Sequence, residues 1–176
     1  MTSTTERRDD ALTIADFELV REMGTRWSDY DVYGHVNNAV YFELFDTAIN
    51  SWVAEETGFT PASASTIAVV AESTCRFIRE LARFPHQVSV AIRIDRLGSS
   101  SVTYDLGLFS LSSNVEPAPI AARGRWVHVF IDRDTRRPTP IPTSVRSALE
   151  RHLLRPRPPG DPTPAASPHR RTPTVN

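Results

Sequence analysis

The chain contains no lysine, and all 20 of its basic residues are arginine, set against 21 acidic ones. This looks like a bias toward GC-rich codons and carries little functional information. The formal net charge of −1 provides no long-range attraction to nucleic acid or to an anionic membrane. Cysteine is nearly absent too. Cys75 alone permits no internal disulfide and no cysteine-based metal site within one chain, and without a flanking motif it reads as a small core residue. No apolar run approaches the ~20 residues that span a bilayer. Residues 1–10 are polar with no apolar stretch behind them, so a soluble, cytoplasmic protein without a secretory signal is expected. Also missing are a glycine-rich phosphate loop and a Gly-x-Ser-x-Gly elbow, which argues against a nucleotide fold and a serine-triad hydrolase. The Asp29-x-Asp31 pair near His35 invites comparison with a metal site, but the parallel-sheet setting for that motif is absent, so no metal is expected.

What is present suits one domain. Of 176 residues, 40% are hydrophobic, enough for a sizeable core. The last 22, residues 155–176, hold seven of the 14 prolines and almost no large apolar side chain, so they cannot offset the entropy of ordering. A disordered proline-rich tail is expected there, with a flexible segment at 1–14 and a folded domain at 15–154.

Within that domain the periodicity is ordered. Phe17, Leu19 and Met23 share a period of two, so 17–27 reads as a strand leading into a polar turn at 28–38. Phe42, Phe45, Ile49, Trp52 and Val53 then recur at helical spacing, with Glu43, Asp46, Asn50 and Ala54 on another face. Asn37 or Asn38 can cap this helix, and Gly58 can end it. Residues 67–78 are apolar enough for a strand. Val88, Val90, Ile92 and Ile94 alternate with Ser89, Ala91, Arg93 and Asp95, the pattern of a strand with one buried face. Val102, Tyr104, Leu106 and Leu108 repeat it after the Gly98-Ser99-Ser100 turn, which makes a hairpin. A last strand at 120–131 and a short helix at 145–154 complete an α+β order, an antiparallel sheet with a helix packed across one face.

Polar chemistry is densest at 26–38, between the first strand and the helix. Free backbone N–H groups and the positive end of a helix can polarise a carbonyl there, while a carboxylate attacks or activates water. The run Asp31-Val32-Tyr33-Gly34-His35-Val36-Asn37-Asn38-Ala39-Val40-Tyr41 resembles the active-site signature of hotdog-fold thioesterases of the 4-hydroxybenzoyl-CoA thioesterase type, which include many acyl-CoA thioesterases. The run Arg96-Leu97-Gly98-Ser99-Ser100-Ser101 resembles a turn of these enzymes, and the element order agrees over roughly residues 16–132.

The resemblance implies a five-stranded antiparallel sheet wrapped around one long central helix, and hydrolysis of an acyl-CoA thioester to the free acid and CoA. It makes Asp31 the nucleophile or general base, Gly34 the turn glycine, and the backbone N–H of Asn38 the donor to the thioester carbonyl. Asn37 lies beside that donor, and Tyr33 joins Gly34 and Asn37 as substrate-binding residues. His35 takes a supporting role, orienting Asp31 or a water. Glu80 is a weaker candidate, drawn from the related plant acyl-carrier-protein thioesterases. This chain departs from those at Tyr33, where they carry asparagine, and its length cannot hold their two repeats. Two alternatives remain: a thioesterase acting on acyl carrier protein, and a non-catalytic hotdog module that binds an acyl thioester or a protein. The resemblance further implies a homodimer or homotetramer and no cofactor, CoA entering only as part of the substrate. Arg76, Arg79, Arg83, Arg96 and Arg125 are among the arginines available for its phosphates. Asp29 and Asp31 both also suit turn capping, a common role for aspartate, and the resemblance covers only Asp31.

A chain ending at Leu154 is expected to keep its turnover and to melt within ~4 °C of the full-length protein, the shift that about 1 kcal/mol produces in a domain of this size. A larger loss in a thermal melt would show that residues 155–176 dock on the body.

Overall fold

The computed structural model describes Asp9 and residues 11–81, 87–111 and 117–153. The tail expected at 155–176 lies outside the described residues. The long helix, α1, runs Asn38–Thr57. At its start the Asn37 side chain accepts the Ala39 N–H at 2.9 Å, and at its end Gly58 adopts φ 66° and donates to the Ala54 carbonyl, as both residue types favour. Tyr41, Leu44, Phe45, Ala48, Ile49, Trp52 and Val53 form its buried face. The apolar stripe is shifted slightly from the one expected: Phe42 is only partly buried, packing beside Trp126 with ring centroids 6.1 Å apart.

Five strands form one sheet: β1 (Leu19–Gly24), β2 (Thr66–Phe77), β3 (Gln87–Leu97), β4 (Ser101–Ser110) and β5 (Ile120–Asp132). Their spatial order is β1-β3-β4-β5-β2, with every neighbouring pair antiparallel. β1 is shorter than the 17–27 expected. Residues Trp27–Asp29 form a 3-10 turn instead, because the Asp29 carboxylate takes the Arg26 N–H at 2.6 Å and bends the chain. The β3–β4 hairpin closes at Gly98, whose N–H donates to the Ser101 carbonyl at 2.8 Å. A short helix, α2 (Thr143–Arg151), packs against α1 and β3 and ends slightly earlier than the 145–154 expected. No helix among the described residues is long and apolar enough to cross a membrane.

α1 lies against one face of the sheet, where Val88, Val90, Ile92, Tyr104, Leu106, Leu108 and Trp126 meet its apolar side. Contact is close at Gly124 on β5. A Cβ added there would come within 2.7 Å of the fully buried Phe45 ring, so only glycine lets the helix seat this deeply. The architecture is the hotdog arrangement, a sheet curled about a central helix.

One expectation for β3 is corrected. Its second face is solvated only toward Asp95: Ser89 and Ala91 are buried as fully as Val88 and Val90. Phe17, Ala91, Phe109 and Ile120 make a second, smaller core on the outer face, joined by Leu12 and Ile14. The N-terminal segment therefore covers part of that face, and Leu12, Ile14 and Asp9, all within the stretch expected to be flexible, have packed or ion-paired partners. A strand buried on both faces still shows an alternating sequence when the second cover is small, because Ser and Ala occupy little volume.

The helix-facing core holds one titratable imidazole. His128 is 4% exposed, accepts a hydrogen bond at Nε2 from Trp126 Nε1 at 3.2 Å, and meets the edge of Tyr104 with centroids 5.6 Å apart. Burial pushes its pKa down to about 4. Because the folded value lies below the ~6.5 of an unfolded histidine, this burial costs nothing above pH ~6.5 and destabilises progressively as the pH falls toward ~4. Urea titrations over that window should show wild type losing up to roughly 3 kcal/mol more than His128→Gln. Parallel loss in both proteins would clear His128 as the origin.

Candidate active site

The turn between β1 and α1 is built by backbone bonds that its sequence dictates. The Asp31 N–H donates to the His35 carbonyl at 2.9 Å, and the Gly34 N–H to the Asp31 carbonyl at 3.1 Å. Gly34 has φ 78°, a left-handed conformation that glycine enters without steric cost. The Asp31 side chain completes the turn: Oδ1 accepts the N–H of Tyr33 at 2.8 Å and of His35 at 3.2 Å. Asp31 is thus a turn-capping aspartate as well as a candidate for chemistry. Its second oxygen, Oδ2, receives no hydrogen bond from the described residues.

Asp29 has the structural role alone. It is 3% exposed, receives Arg26 Nε at 2.9 Å, and its carbonyl accepts the Asn37 N–H at 2.8 Å. Arg26 also reaches Glu43 on α1 at 2.6 Å, which ties the turn to the helix it precedes. A second tie comes from beyond β2. The Val36 N–H donates to the Leu81 carbonyl at 2.8 Å, and the Tyr41 hydroxyl bonds the Leu81 backbone. Burial pushes the Tyr41 pKa up to about 12, so its hydroxyl stays protonated at neutral pH.

These ties leave a cleft of about 330 Å³ between the turn, the start of α1 and the end of β2. Asp31, His35, Val36, Asn38, Tyr41, Phe77, Ile78, Arg79 and Glu80 form its walls. The three residues expected to carry chemistry, Asp31, His35 and Asn38, therefore share one cavity. His35 Nε2 lies 3.4 Å from the Glu80 carboxylate, bringing in the weaker fourth candidate. The Asn38 N–H, at the first helical position, has no acceptor among the described residues, and no acidic side chain occupies the first turn of α1. This is an unspent donor at the positive end of a 20-residue helix, at a residue that lines the same cleft as Asp31.

The other expected residues sit elsewhere. Tyr33 projects to solvent, 81% exposed, and serves the turn through its backbone; Gly34 shapes that turn; Asn37 caps α1. None of the three is part of the cleft wall. Of the arginines, Arg79 lines the cleft, and its Nη1 donates to the Ile120 carbonyl at 3.2 Å. Arg76 and Arg125 lie on the outer face of the sheet, Arg96 is exposed on β3, and Arg83 is outside the described residues. Phe77 and Ile78 had no local motif to mark them. They reach the site because β2 runs antiparallel to β5 and ends beside Tyr41, whose ring meets Phe77 edge-on at 5.0 Å. Among the described residues no cluster of three or more His, Cys, Asp or Glu side chains is placed to hold a metal ion.

A hotdog sheet with a turn-borne carboxylate at the mouth of its central helix defines a class, and sequence comparison supplies the family. A profile of the thioesterase-like superfamily matches residues 25–149, and the chain belongs to that superfamily. It is similar to the PA5185 protein of Pseudomonas aeruginosa, at 37% identity and a TM-score of 0.74, over 80% of this chain and 95% of that one. PA2801 of the same species, a candidate thioesterase, is 30% identical with a TM-score of 0.67, over 74% and 96% of the two chains. The uncharacterised YsmA protein of Bacillus subtilis is 26% identical over 103 residues, which are 58% of this chain and 66% of YsmA.

Proposed function

We propose that the protein hydrolyses an acyl-CoA thioester to the free acid and CoA in the cleft between the turn and α1. Thioester hydrolysis is the activity of its family; the CoA ester and the residue roles are our reading. The observation that carries it is that Asp31 and Asn38, whose N–H has no acceptor among the described residues, line one cavity. A thioester carbonyl oxygen placed on that N–H is polarised by it and by the helix end. Asp31 Oδ2 then acts in one of two ways. It attacks the carbonyl carbon, expelling the CoA thiolate and leaving a mixed anhydride that water opens, or it takes a proton from water as the water attacks. His35, partnered by Glu80, is placed to orient that water or the carboxylate. Tyr33, Gly34 and Asn37 contribute to substrate binding by holding the turn and helix cap in register. Arg79, the cation of the cleft wall, suits the phosphate-bearing end of the ester. We place the reaction in the cytoplasm and assign it no cofactor.

Asp31→Asn separates chemistry from turn building, because an asparagine Oδ1 still accepts the Tyr33 and His35 N–H groups. The fold should persist while kcat for acyl-CoA falls at least ~100-fold, read by thiol release. Full activity in the purified variant would reduce Asp31 to its turn role and remove it from the mechanism.

A homodimer, or a dimer of dimers, completes the site on this reading. β2 is an edge strand with Val70 and Phe77 46% and 49% exposed, and the turn beside the cleft presents Trp27, Val32 and Tyr33 at 79%, 94% and 81%. Unpaired edges and exposed apolar groups of this size invite a second chain. Sedimentation run beside activity over a dilution series should show both declining together; a fully active single chain would require a site built from one protomer.

A further inference from the structure

The outer face of the sheet carries a second pocket, of about 350 Å³, which shares no wall residue with the cleft. Arg76 of β2, Arg93 of β3 and Arg123 and Arg125 of β5 line it, together with Asp95 and Asp105. Strand register gathers these charges. Arg93 and Arg125 each pair across the sheet with Asp105, whereas Arg76 pairs directly with Arg123. Like charges placed opposite each other are unfavourable and need an anion between them.

Asp9 supplies that anion from outside the sheet. Its carboxylate, 5% exposed, accepts Arg76 Nη1 at 3.0 Å and also Arg123 Nη1. The arginine pair therefore has the geometry of an oxyanion seat, and a segment of the same chain occupies it. Asp105 binds the opposite side of Arg123 through a fork, Nε to Oδ1 and Nη2 to Oδ2, both at 3.0 Å. Two further observations point past a closed ion-pair ladder. Arg93 donates through Nη2 to Asp105, but its Nε is buried with no hydrogen-bond partner. Among the described residues Arg125 is held by contacts of 3.3 Å to Glu72 and Asp95, all three side chains being about half exposed. Guanidinium donors in planar forks match phosphate oxygens better than any other side chain does.

We propose that this outer-face pocket binds a phosphate group, as a monoester or pyrophosphate, through Arg76, Arg93, Arg123 and Arg125, with Asp9 as an internal competitor for Arg76 and Arg123. A phosphate offers up to two charges and three acceptor oxygens, more than the single charge of Asp9. Occupation releases Asp9 from the arginine pair, and with it the anchor of the N-terminal segment over the small outer core.

Calorimetric titration of inorganic pyrophosphate and of adenosine bisphosphate into the full-length protein at low ionic strength reads the site directly. Saturable binding is expected. Arg125→Gln should weaken it at least ~10-fold by removing a charge-assisted donor set. Asp9→Asn should tighten it by roughly a similar factor, because the competitor loses its charge. Melting temperatures near wild type would confirm that both variants fold. Preference for adenosine bisphosphate assigns the ligand to a nucleotide, and equal binding assigns it to the phosphate alone; either result upholds the site. No saturable heat with either probe, or equal affinity in wild type and both variants, overturns the proposal and leaves a structural ion-pair ladder.

Discussion

The rest of the structure depends on how closely α1 can approach the sheet. Gly124 sets that distance by leaving room for the Phe45 ring, and the apolar face from Tyr41 to Val53 follows it down. Burying a large aromatic contributes about 1.5–3 kcal/mol, so a helix that seats several such groups is held in one place. Its N-terminus is then fixed relative to the end of β2, and the cleft exists because these two ends meet. Had a larger residue stood at 124, the Asn38 N–H would be displaced from Phe77 and Arg79.

The turn is bound to this helix by short, directional contacts added to the packing of Val36 and Tyr30 in the main core. Arg26 bridges Asp29 to Glu43, while Val36 and Tyr41 reach Leu81. Both sets are needed, since one anchors the turn to the helix and the other anchors the segment after β2 to both. Asp31 Oδ1 holds the turn, and on the proposed mechanism Oδ2 is left for the chemistry. A preorganised carboxylate and an unspent helix N–H require no rearrangement when charge develops on a carbonyl oxygen.

The outer face follows another logic. There, aspartates 9 and 105 are buried beside arginines, and Asp105 first and then Asp9 hold Arg123 above the usual arginine range. Buried charges of this kind are weak evidence for stability, because desolvation cancels much of the attraction.

Much of the fold was legible in the residues. Helical spacing from 42 to 53, the caps at Asn37 and Gly58, and the alternation in β3 and β4 are local patterns, and each reappeared within a few residues of its expected bounds, as did the last strand, β5. The 31–41 run marked the candidate site because a turn, a carboxylate and a helix start are contiguous in the chain. Three things were not legible. The second core under Leu12, Ile14 and Phe17 was hidden because Ser89 and Ala91 read as a solvated face. The contribution of Phe77 to Glu80 was hidden because antiparallel pairing, not proximity in sequence, carries them to α1. The arginines could not be sorted, since which face a strand residue occupies depends on register and on bulges such as those at Val70/Glu72 and Ile94/Arg96. The sequence by itself determined the elements and the turn that bears Asp31, because short-range sterics and hydrogen bonding act within a few residues. Only the tertiary structure decided what faces Asp31 across the cleft and which arginines share a pocket, because those depend on the close packing of strands far apart in the chain.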